Sequence, residues 1–129
     1  MKELLPDEIK ATLPKLYKQE RVKDPIVYVH FYSIGTEEWH WYVTEGQPKD
    51  DSFIMFAWVV GWENELGYVS LREMEAVNDR TIQLELLAIP GVTVIPGPTL
   101  KDIIDGEILR DETWTPKPLS AVKRLHGGK

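Results

Sequence analysis

The chain contains no cysteine, which excludes disulfides, thiolate metal sites and cysteine nucleophiles and fits a reducing compartment. No apolar run approaches the roughly 20 residues that span a bilayer. The opening MKELLPDEIK has no signal-peptide core, so a cytoplasmic protein without a membrane partner is expected. Signatures of catalysis are missing too. GWENELG and IPGPT lack the lysine and spacing of a phosphate loop, and Ser33, Ser52, Ser70 and Ser120 sit in no nucleophile elbow. The sequence therefore assigns no catalytic residue, no cofactor and no metal. Basic residues are scarce in one region: between residues 36 and 75, nine Asp and Glu face only Lys49 and Arg72. Such a stretch repels phosphate at long range, so direct nucleic-acid binding is not expected.

What is present suits one folded domain over residues 1–129. The chain is 43% hydrophobic and 28% charged, with a net charge of -6. A domain of this size buries roughly two thirds of the surface its unfolded form exposes. Four of the five tryptophans fall between Trp39 and Glu75, which marks that stretch as the core.

Leu5, Ile9, Leu13 and Leu16 recur at helical spacing, with Pro14 as a stop, and predict an opening amphipathic helix ending near Thr12. Ile26 to Tyr32 is rich in β-branched and aromatic residues and pairs with EWHWYVTE as a hairpin. Alternation puts Val27, Val29, Phe31, Trp39, Trp41 and Val43 on the core face. The opposite face then carries Tyr28, His30, Tyr32, His40, Tyr42 and Thr44. GQPKDD reads as a loop, and SFIMFAWVVGW as the central strand of the sheet. ELGYVSL returns as a strand, and Ser70 with Glu73 caps a helix over LREMEAV. Alternation at Ile82, Leu84 and Leu86 predicts another strand, and Thr99 caps a single turn. Trp114 anchors an extended arm that ends in a helical turn from Leu119 to Leu125, with 123–129 frayed. The fold class is α+β: an antiparallel sheet of four to six strands with short helices packed mainly on one face.

LPKLY, DPIVYVHFY, WHWYVTE, GWENELGYVSL and RDETWTPKPLS follow one another over roughly residues 4–77 and 107–122. In content and order they resemble the blocks of the bacterial domain-of-unknown-function family 2958, found on plasmids, phages and other mobile elements. The resemblance implies a small α+β domain in a mobile-element setting and brings no catalytic residues. Residues 78–106 are longer than that family leads one to expect and are read as an elaboration.

Three constellations remain. His30 and His40 share one side of adjacent strands, and with Glu38 or Glu45 they would make a minimal metal site, although no His-x-His or HExxH spacing supports it. Glu63 with Glu65, and Asp50 with Asp51, have the carboxylate pairing of glycosidases but also the composition of solvated turns, which is the commoner case. The tyrosine and histidine face is the most informative. It could stack bases, but the basic partners that accompany such platforms are missing. It could form a protein interface, or the chain's own helices could cover it. The expectation carried forward is a non-enzymatic accessory protein of a mobile element that binds a basic surface on another protein, such as a host defence or replication component. Its binding surface would be Tyr28, His30, Tyr32, Glu37, Glu38, His40, Tyr42 and Glu45. The alternative is a hydrolytic or metal-dependent enzyme built on His30, His40 and nearby carboxylates. No oligomeric state is assigned.

Overall fold

The computed structural model describes residues 3–84 and 99–127. It is an α+β domain. A five-stranded antiparallel sheet has the order β5-β4-β3-β2-β6, formed by β2 (Val29–Ile34), β3 (His40–Lys49), β4 (Ser52–Val60), β5 (Asn64–Ser70) and β6 (Glu107–Arg110). A two-stranded ribbon pairs β1 (Ile26–Val27) with β7 (Lys117–Pro118). Helices α1 (Asp7–Lys10), α2 (Leu71–Asn78) and α3 (Leu100–Ile103) pack on one face, and α4 (Leu119–Leu125) packs on the other. None of the described helices is long and apolar enough to cross a membrane.

The main core lies between the sheet and α1 to α3. Phe31, Trp41, Val43, Met55 and Ala57 project from the strands onto Leu5, Met74, Val77 and Ile104. Burial of these large side chains, each contributing about 1.5–3 kcal/mol, is the main force holding the helices down. Ser70 caps α2 by accepting a hydrogen bond from the Glu73 amide at 3.0 Å. The expected capping box is only half made, because the Glu73 carboxylate instead accepts from the Leu100 amide and joins α2 to α3.

Several expectations are corrected. The stripe Leu5, Leu13 and Leu16 is buried, yet only one turn between Pro6 and Ala11 is helical. The spacing recorded burial rather than a regular backbone. The supposed loop GQPKDD is mostly strand, with only Asp50 and Asp51 turning between Lys49 and Ser52. Pro48 is tolerated there because the Gly46 amide points away from β4, to the Pro14 carbonyl at 2.8 Å. The position two residues on shares that outward direction and needs no N–H for the ladder. The central strand is β3, not β4, because Ile108 brings in β6 beyond β2, an addition the sequence did not signal. Residues 81–84 form no strand, and the remainder of that expected strand lies outside the described residues. Residues 85–98 of the expected 78–106 elaboration lie there too.

Two irregularities re-sort the faces. Tyr28 sits in the break between β1 and β2, and its amide bonds to the Val43 carbonyl although Val43 is already the partner of Val29. The extra residue inverts the alternation, as β-bulges do. Val27 therefore lies with Tyr42 and Trp58 on the second face, and Tyr28 packs against the main core. A second shift between Val43 and Glu45 carries Glu45 onto the Tyr42 side.

Candidate functional site

A hydrogen-bonded chain of side chains crosses the second face. Register sets His30 opposite Tyr42 and Tyr32 opposite His40, so all four project to one side. Asp111 follows β6, where its amide bonds to the His30 carbonyl, and an Asx turn to Thr113 holds its carboxylate in place. That carboxylate lies 3.1 Å from His30 Nδ1. His30 Nε2 lies 2.9 Å from His40 Nδ1, and His40 Nε2 lies 3.1 Å from Glu38 Oε1. The sequence carries three histidines, and the third joins the group. The Tyr42 hydroxyl lies at hydrogen-bond distance, 2.6 Å, from His126 Nε2, and the His126 ring stands 5.3 Å from that of His40. His30 is stacked on Tyr42 with 4.5 Å between ring centres.

Burial pulls the His30 pKa below its ordinary value; the hydrogen bond to Asp111 opposes this, and the neighbouring His40 adds to the lowering. Burial likewise lowers His126, and His40 lowers it further. Tyr42 is pushed up to about 12 by burial, with Asp111 and Glu38 adding to the effect. Burial alone would raise Asp111, but its bonds to His30 and Thr113 prevail and keep the carboxyl below its ordinary range. At neutral pH, then, Asp111 is ionised, Tyr42 is a donor, and His30 is neutral with its proton on Nδ1. His30 Nε2 is free to accept from His40 Nδ1, and His40 bonds Glu38 through an Nε2–H at the same time only when it carries both ring protons.

The chain's own C-terminal arm covers this site. Trp114 donates its indole N–H to the Val27 carbonyl, Leu119 and Val122 pack on Tyr42 and Trp58, and Ser120 is fixed by Asp24. Tyr42 is only 3% exposed, so the open aromatic platform expected from the sequence does not exist there. Residues 123–125 belong to α4 and His126 is held by Tyr42, so the expected frayed tail is ordered at least that far. Tyr28 faces the main core for the reason given above. Glu45 is 4% exposed and structural: its carboxylate accepts from the Tyr17 and Gln19 amides at 2.8 and 2.6 Å, pinning the segment before β1. Tyr32 reaches an open cleft of about 270 Å³ shared with Leu4, Asn78 and Arg110.

Of the eight expected surface residues, His30, His40, Glu38 and Tyr42 meet in the covered chain, and Glu37 and Glu38 stand exposed on the β2–β3 loop. Sequence reasoning missed Asp111 and His126. The D-x-T spacing of an Asx turn was a usable signal for the first, and the rarity of histidine for the second. No group of three or more His, Asp or Glu among the described residues is placed to hold a metal ion. Chemically, the arrangement can hold and redistribute protons along one line.

The exposed end of the sheet differs. Trp39 lies flat on Gly61, where an added Cβ would fall 2.4 Å from its ring. Trp62 stands edge-on to Trp39 with 5.6 Å between ring centres and is 67% exposed. Glu63 and Glu65 follow it, and Glu37 and Glu38 precede Trp39 on the adjoining loop, all of them exposed. Compared with protein families, curated proteins and solved structures, the chain matches none.

Proposed function

We propose that the protein works by binding, engaging a basic surface on another protein through the end of the sheet where the β2–β3 loop and the β4–β5 turn meet. One observation carries the reading: Trp62, largely exposed and backed by Trp39, rises among Glu37, Glu38, Glu63 and Glu65. No lysine or arginine occurs from residue 50 to residue 71 or from 24 to 48. An exposed indole with a rigid back and an acidic rim suits a guanidinium or ammonium group, which gains from the ring face and from the carboxylates together. Rim charges of one sign also raise the rate of encounter with an oppositely charged partner. Of the expected binding surface, Tyr28 packs on the main core and Tyr42 is buried, and Trp62 with Trp39 behind it takes their place here. The resemblance to family 2958 supports a role as an accessory protein of a mobile element, with a host defence or replication component as the partner.

The test is affinity capture from the native host, followed by titration of the purified partner. Trp62→Ala is expected to weaken binding by about 2 kcal/mol or more. Glu63→Lys with Glu65→Lys should mainly slow association and flatten its salt dependence. A partner with an acidic contact surface, or one that binds all variants like the parent, would defeat the reading. The alignment of His30 by Asp111 favours a second reading, an acid–base enzyme, which requires that His30→Asn abolish a hydrolytic activity while leaving the fold intact.

A further inference from the structure

The three histidines lie on three separate pieces of the chain, and their contacts tie the C-terminal arm to the sheet. His30 is on β2 and His40 on β3, while His126 ends α4 and Asp111 begins the arm. We propose that His30, His40 and His126, with Asp111 and Glu38, form a proton-operated latch that closes residues 111–127 over the sheet near neutral pH and releases them in mild acid.

The argument is a count of protons. Two imidazoles have four ring nitrogens, and here three contacts use them: Asp111 to His30, His30 to His40, and His40 to Glu38. With three protons on the pair, every contact joins a donor to an acceptor. With two, only the contact to Glu38 is lost, and because that carboxylate is largely exposed the cost is small. With four, His30 Nε2–H meets His40 Nδ1–H head-on at 2.9 Å, and two cations stack with ring centres 5.1 Å apart. A fifth proton, on His126, adds a third cation 5.3 Å from His40 and leaves Nε2 able only to donate to Tyr42. Loss of the central bond also frees His30 from the stack under Trp114 and Tyr42.

The charged groups that face this cluster are few. Asp111 comes from the arm and Glu38 from the loop, Tyr42 is neutral, and Lys117 and Lys123 lie over the Trp114 and Trp58 rings and add only positive charge. The direction follows from linkage. His30 and His126 bind protons less readily folded than unfolded, so below about pH 6.5 the open form takes up protons that the closed form refuses, and closure weakens as the pH falls. The arm's remaining titratable tie, Ser120 to Asp24, does not act in this window, because those hydrogen bonds hold Asp24 below its ordinary 3.8, and its ties through Trp114, the β1–β7 ribbon and the packing of Leu119 and Val122 carry no titrating group. Opening would uncover Tyr42, Trp58 and Val27, which are buried in the closed form.

The experiment is native-state hydrogen exchange followed residue by residue, with protection of the α4 amides expressed relative to the β3–β4 amides of the same sample. This ratio removes the intrinsic pH dependence of exchange. Between about pH 7.5 and pH 5 it should fall by about tenfold or more in the parent protein. In His40→Gln, whose amide can donate to His30 without adding charge, the fall should shrink, because His40 no longer adds to the burial that lowers His30 and His126. In Glu38→Gln, a change at an exposed position that leaves the fold intact, it should move to lower pH because the cluster loses a counter-charge. An equal ratio at both pH values in the parent, an undiminished fall in His40→Gln, or an unmoved one in Glu38→Gln would each overturn the latch.

Discussion

The two faces of the sheet are built from different materials. Beneath α1 to α3, Phe31, Trp41, Val43 and Met55 meet leucines and methionines in a mainly apolar layer, with Glu73 and Asn78 bonding backbone groups at its margin. On the opposite face, Val27, Tyr42 and Trp58 meet Trp114, Leu119 and Val122, and imidazoles, a phenol and a carboxylate complete the layer through hydrogen bonds. The first kind of contact depends on area and shape and is indifferent to pH. The second depends on each proton being where its partner needs it. One face therefore fixes the fold under most conditions, while the other holds its cover conditionally.

The sharpest way to break this comparison is to empty the apolar face. Trp41 is 1% exposed against the main core, so Trp41→Ala is expected to destabilise the domain by about 3–5 kcal/mol in urea titration. Glu37→Ala on the exposed loop should leave the midpoint almost unchanged. Equal midpoints for the two variants would show that this face is not the foundation. A middle case lies on the second face, where Glu45 supports the segment before β1. Glu45→Gln removes a charged acceptor of two amides and should lose about 1–3 kcal/mol. An unchanged midpoint would mean that water can replace the carboxylate. The mildest is Tyr42→Phe, which keeps the ring and deletes only the bond to His126. A loss of about 1 kcal/mol is expected, with α4 loosened more than the sheet; a uniform loss across the sheet would contradict the division between the faces.

Much of the sheet was legible from sequence: alternation found the paired faces of β2 and β3, and a continuous apolar run followed by a turn found β4 and β5, whereas the alternation at Ile82 and Leu84 marks no strand. What escaped was set by backbone events that carry no period. The inserted residue at Tyr28 reverses the faces of the chain before it, and no local composition marks it. Pro48 reads as a break but occupies an outward-pointing N–H position, which can be known only once β3 and its neighbours are placed. The site was half visible. His30 and His40 come together because they lie on adjoining strands of one hairpin, a local relation that alternation can find. Asp111 and His126 reach the same spot across the fold, 81 and 84 residues from the groups they bond, and nothing in the sequence measures that distance.

Those separations bear on the order in which the molecule is made and unmade. Strands β2 to β5 are joined by successive short turns, so each hairpin closes a small loop against a neighbour already present. The arm must close far larger loops: Trp114 bonds to Val27 across 87 residues and Ser120 to Asp24 across 96. Such contacts are expected to come after the meander in assembly, since the loop-closure entropy is lost before they are gained, and to be among the first to open. Exchange protection graded from α4 to the β3–β4 pair reads this order directly. The histidines thus sit at the last seam of the fold to close.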